Sequence, residues 1–166
     1  MKFLVTVGIA LALLTLESVL VQQAGLVLGR VDVTVVLVAF LALRASLVEG
    51  ALSAFAVGYL LDLMSGQPTG LFTFLAVLTF LAGRLVSTFV DVRGAVSFAL
   101  FAMGADLGHG LLSAFFTWLT LKDGITAPLL SGMPLQVALT GLAALGLYPL
   151  FKRFETAQDR QPGLLR

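Results

Sequence analysis

An all-α membrane fold is what this sequence predicts, and three observations predict it. Hydrophobic residues make up 59% of the 166 residues and charged residues only 11%, where a soluble domain carries about 25% charged. Mean hydropathy is +1.05. The apolar residues fall in runs that approach the ~20 needed for a helix to cross a bilayer, joined by short polar connections. The net charge is +1 and no basic arm is present, so nothing points to nucleic acid. There is no cysteine, which excludes disulfides and thiol chemistry.

The runs lie at about 3–21, 31–43, 47–64, 70–83, 95–121 and 133–151. Lys2 and Ala10-Leu11-Ala12 imitate a signal peptide, but the apolar run continues to Val21 and reads as a retained first span. The second run is short and could take Arg30 and Asp32 into its first turn. The fourth is short too and could run past Arg84 toward Val90. About six transmembrane helices result, and five with one re-entrant segment is the open alternative. Residues 1–151 form the membrane domain. Residues 152–166 read as a short polar cytoplasmic tail, in which Pro162-Gly163 opposes helix.

Charge placement orients the chain. With both termini cytoplasmic, the inner segments hold Lys2, Arg44, Arg84, Arg93, Lys152, Arg153, Arg160 and Arg166. The outer loops hold Arg30 and Lys122. That bias follows the positive-inside rule, and the basic inner rim suits anionic lipid headgroups. Trp118 and Tyr148 read as interface anchors. The expected location is a membrane, crossed several times, with both termini on the cytoplasmic side.

Polar residues inside the runs are the candidate site. Asp62 ends the third run, and a carboxylate at a bilayer centre costs about 2.5–3.5 kcal/mol. Gly58 lies one turn before it on the same face and admits a neighbouring helix closely. Ser65-Gly66 reads as a helix terminus, with Gly66 left-handed, Pro68 forbidding continuation and Gly70 opening the fourth span. Asp62 either fixes this turn by hydrogen bonding or binds a partner or ion. Its place near a helix C-terminus, where the dipole disfavours negative charge, favours a specific partner.

The fifth run carries Asp106 and His109, three apart and on one face. The simplest arrangement is an internal Asp–His hydrogen bond that staples helices. Gly104 and Gly108 form a small-xxx-small pair on another face, suited to close packing, and Gly110 adds room beside Asp106. Glu17 reads as the polar end of the first span. Arg44 and Glu49 flank the tight turn between the second and third spans. No metal site is expected, because too few ligand side chains cluster.

From Val31-Asp32-Val33 through Arg44, Glu49-Gly50, Gly58, Asp62, Ser65, Gly66, Pro68, Gly70 and Leu71, the sequence resembles the MreD family. These proteins are the integral membrane subunits of the bacterial rod-shape (elongation) machinery. The motif covers about residues 31–72, and Val31 stands where the family more often has proline. The resemblance implies a non-enzymatic scaffold regulating cell shape and peptidoglycan synthesis. It implies a fold similar to the six-helix substrate-binding subunits of energy-coupling-factor transporters. The implied partners are an MreC-like bitopic protein, MreB and the RodA–transpeptidase synthase, with membrane lipids around them and a homo-oligomer within the complex as an option.

Two other classes compete. A vitamin-type binding subunit of a transporter needs convergent polar groups in an outward pocket, for which Asp62, Gln67, Thr69 and Lys122 are available. An intramembrane protease needs a catalytic pair. Asp62 and Asp106 sit at different depths, a Ser65–His109 dyad fails similarly, and Leu63 replaces the glycine of a Gly-x-Ser-Gly motif. The expectation is therefore no enzyme activity, no cofactor and a docking role for the Gly104–Gly108 face and the first two spans.

Overall fold

The apolar helices pack around one short central helix. The computed structural model describes residues 7–15, 31–65, 70–120 and 127–159, and among these the secondary structure is entirely helical apart from turns. Helix α1 occupies 7–15. It is followed by α2 (Val33–Arg44), α3 (Leu47–Ser65), α4 (Leu71–Ser87), α5 (Ala95–Thr120) and α6 (Ala127–Asp159). Gly66, Pro68, Glu17, Gln67, Thr69 and Lys122 lie outside the described residues.

The fold pairs α3 with α4 and α5 with α6 most extensively, while α2 touches all four. Helix α2 is apolar on nearly every side. Eight of its twelve residues, Thr34–Ala39, Leu41 and Ala42, are buried, as expected of a helix enclosed by others. Ala10 and Leu14 of α1 are buried beside it, against Val33, Leu37 and Val57. The bundle's outer surface is the apolar one. Phe55, Phe74, Leu100, Leu111 and Trp118 are each about half exposed or more, the reverse of a water-soluble protein.

Three helices are long and apolar enough to cross a bilayer: α3 over Leu47–Met64, α5 over Ala95–Phe116 and α6 over Gly132–Arg153. They mark a membrane protein. The predicted count of six is thus met in helices but not in lengths, since α2 and α4 are shorter apolar helices. Twelve residues rise about 18 Å at ~1.5 Å each, well under the ~30 Å hydrocarbon core.

One boundary departs from expectation, and a second follows the longer alternative. Helix α6 runs 33 residues, through Pro134 and Pro149, so Lys152–Asp159 continue the helix instead of starting an irregular tail. Residues 160–166 with Pro162 lie outside the described residues. Helix α4 passes Arg84 and ends at Ser87. Tyr148 joins an aromatic cluster. Its ring lies 5.6 Å from Phe98, and Phe151 stacks on Phe40 at 4.7 Å.

Candidate functional site: two buried carboxylates and an open groove

Asp62 is 2% exposed and points across the turn at the start of α4. The first turn of any helix leaves N–H groups without intrahelical partners. Its N-cap is usually a Ser, Thr, Asp or Asn that fills this need. Here the N-cap is Gly70, with φ of 108° and no side chain to offer. Asp62 takes over the task from the neighbouring helix. One carboxylate oxygen accepts from Phe72 N–H at 3.0 Å, the other from Thr73 N–H at 3.0 Å. The Thr73 hydroxyl donates to that second oxygen as well. The negative charge that the end of α3 disfavours is placed on the positive end of α4's dipole. Of the two readings of Asp62, the structure shows the first: its carboxylate fixes the start of α4 by hydrogen bonding, and the separate partner favoured on dipole grounds is not what it meets.

Gly58 makes that reach possible. A Cβ there would lie 2.6 Å from Thr73 Cα and 2.7 Å from the Phe72 carbonyl oxygen. The two backbones touch, as the shared face of Gly58 and Asp62 predicted.

A second long-range cap works at the other end of α4. Arg84 donates from one guanidinium nitrogen to the carbonyls of Ala42 and Ala45, both at 3.1 Å. These belong to the end of α2, where carbonyls lack intrahelical partners and a cation suits the dipole. The turn that follows is fixed by Ser46 and Glu49. Ser46 Oγ accepts from Glu49 N–H at 3.4 Å and donates to its carboxylate at 3.1 Å, a reciprocal cap for α3. The Ser-x-x-Glu spacing before an apolar run signals this, and the reading of Glu49 as Arg44's neighbour missed it.

Asp106 is 1% exposed and belongs to a different interface. Its Oδ1 accepts from Gln136 Nε2 of α6 at 3.1 Å. Thr140 of α6 and Asp32 lie beside it. Asp32 is the N-cap of α2: its Oδ1 accepts from Val35 N–H at 2.9 Å, and its own N–H donates to Thr140 Oγ1 at 3.2 Å. This cap lies about 18 Å along α2 from Arg44. Asp106 Oδ2 is buried with no hydrogen-bond partner.

The expected Asp106–His109 staple does not form. His109 Nδ1 instead pairs with Thr79 Oγ1 of α4 at 3.0 Å. The two side chains still staple helices, but each to a different neighbour, since three helical positions turn them about 60° apart. Gly110 accommodates the Met133 methyl, not the carboxylate. Asp62 and Asp106 lie in separate interfaces and form no catalytic pair. No group of three or more His, Cys, Asp or Glu among the described residues could hold a metal.

Gly104 and Gly108 differ from the close-packing expectation. A Cβ on either would meet nothing within 4 Å. They floor an open apolar groove of about 540 Å³ between α4 and α5, walled by Ala82, Val86, Leu100 and Leu112. No protein family, curated protein or solved structure matched this chain.

Proposed function

We propose that this chain is a non-enzymatic membrane scaffold of the bacterial elongation machinery. In this reading it regulates cell shape and peptidoglycan synthesis by holding a single-span, MreC-like partner, with MreB and the RodA–transpeptidase pair joining through it. It crosses the inner membrane about six times with both termini cytoplasmic. The support comes from the resemblance over residues 31–72 and from one structural observation. The groove over Gly104 and Gly108 is open and apolar. Small residues on a lipid-facing surface are what close helix association uses.

The buried polar groups fit the same reading. Asp62 caps α4, Arg84 caps α2 and His109 holds Thr79. Each serves the bundle's own architecture, which leaves the apolar groove to meet a partner helix.

The test is to fill the groove without disturbing the fold. Gly104→Leu with Gly108→Leu has free space for its side chains, so the bundle should keep its thermal stability. Recovery of a single-span partner with a large outer coiled-coil domain should fall about tenfold in pull-downs from native membranes. Undiminished recovery removes the groove from the reading, and absence of any such partner with the wild-type chain removes the scaffold itself.

A further inference from the structure

The described cations gather at one end of the bundle. Arg44 closes α2, and Arg84 binds the carbonyls of Ala42 and Ala45 there. Stacking of Phe151 on Phe40 brings Lys152 and Arg153 to the same end. Arg93 sits in the connection that follows α4. Between the end of α2 and that connection opens a polar cavity of about 520 Å³, space enough for a phosphodiester.

The geometry points to this cavity as a binding site for the headgroup of an anionic phospholipid. Arg44 and Arg93 line it from opposite elements, with Asp91 the one carboxylate among the lining residues. Asp91 pairs with Arg93, which leaves one net positive charge among the lining residues, and it orients the guanidinium. The carboxylate accepts from Arg93 Nε at 2.8 Å and contacts the second guanidinium nitrogen at 2.6 Å. Three of the guanidinium's five N–H groups remain to meet a phosphate, for which a planar fork is suited. The hydroxyls of Ser87 and Thr88 also line the cavity, but their protons go to the Arg84 and Leu85 carbonyls, each at 2.7 Å. Charge recognition therefore rests on the two arginines.

The apolar rim selects a lipid over a free anion. Phe89, 83% exposed, lines the cavity, and Leu85 one turn away is 64% exposed. Acyl chains can lie along them with the phosphate held at the membrane boundary. Neither residue lines the α4–α5 groove, and the two sites meet only at Val90, which lines both. A choline headgroup would bring its own cation against the arginines, so an anionic glycerophospholipid fits best. The site stands apart from the scaffold reading, because it requires only that the chain be embedded in a bilayer.

The test uses the purified full chain in mixed micelles, read by native mass spectrometry. Phosphatidylglycerol, phosphatidylcholine of the same chains, and glycerol phosphate are offered in turn. The wild type should retain one phosphatidylglycerol at least about tenfold over phosphatidylcholine. Arg44→Gln with Arg93→Gln should lose that preference about tenfold or more, at ~1 kcal/mol per juxtamembrane cation. Both arginines are exposed, so the double variant should fold, and circular dichroism checks it. Lys152→Gln with Arg153→Gln removes the same charge elsewhere and should change retention less than about threefold. Equal loss in both double variants would show a diffuse basic field and overturn the site. So would retention unchanged in Arg44→Gln with Arg93→Gln, or competition by glycerol phosphate as strong as by the lipid. Recovery only of lipid-free dimers would assign the cavity to a second copy instead.

Discussion

Asp62 and Asp106 are carboxylates on apolar helices, 2% and 1% exposed, yet their surroundings differ in kind. Around Asp62, both oxygens receive backbone N–H groups, and a hydroxyl adds to one of them. Around Asp106, one oxygen receives a side-chain amide and the other has no partner. The first carboxylate completes a helix whose own cap residue is a glycine. The second belongs to a polar knot of Asp32, Gln136 and Thr140 at the start of α2. Backbone donors are fixed in place by the helix they start, so they hold a carboxylate firmly. Side-chain donors cost rotamer entropy to position and can be left incomplete. The difference teaches that a buried carboxylate here is safest when it substitutes for a missing cap.

The comparison breaks most readily at Asp62. Asp62→Ala should destabilise the purified protein by about 3–5 kcal/mol, because two buried amides lose hydrogen bonds to a charged acceptor. Thermal unfolding in detergent, followed through Trp118 fluorescence, measures it. A loss under about 1 kcal/mol would mean that the cap contributes little. Gly58→Val comes next. Its side chain meets the α4 backbone, and overpacking of this kind costs about 1–3 kcal/mol. Cysteine cross-linking between α3 and α4 should weaken in parallel, and an unchanged cross-linking rate would contradict the close approach.

Thr73→Val sharpens the picture by removing the hydroxyl while keeping the N–H, at about 1–2 kcal/mol. Asp106→Asn should fall below about 1 kcal/mol in either direction. One oxygen remains to accept from Gln136, and the lost atom has no partner. A loss as large as that of Asp62→Ala would show that Asp106 holds more than Gln136. The smallest effect belongs to the Thr79–His109 bond. A double-mutant cycle of Thr79→Val and His109→Ala should give a coupling near 0.6 kcal/mol, the average for interhelical bonds in a membrane. A coupling above about 2 kcal/mol would point to a larger role for His109.

Much of this was legible along the chain. The helix limits follow the apolar runs to within a few residues, except at α6, where a good helix-forming stretch after Phe151 outweighs its polarity. Gly58 and Asp62 were placed on one face by their spacing, and that face does meet α4. Asp106 and His109 were also placed on one face, and there the reasoning went too far. A residue three positions on still turns enough to reach a different helix. Gln136, Thr140, Thr73 and Thr79 were missed as partners because a lone threonine or glutamine in an apolar run carries no signal of its own. The Ser46-x-x-Glu49 cap was signalled by spacing and overlooked.

Sequence by itself determined that the chain is apolar enough for lipid, where its helices lie and which residues would be expensive to bury. Helix formation is a local matter of hydrophobic runs and breakers, so it can be read in order. Only the tertiary structure decided that α2 is the enclosed centre, that Asp62 caps a helix not its own, and that Gly104 and Gly108 face open space. Those outcomes depend on how each helix is rotated against its neighbours. That rotation is set by the sum of contacts from residues 10 to 108 positions apart in the chain.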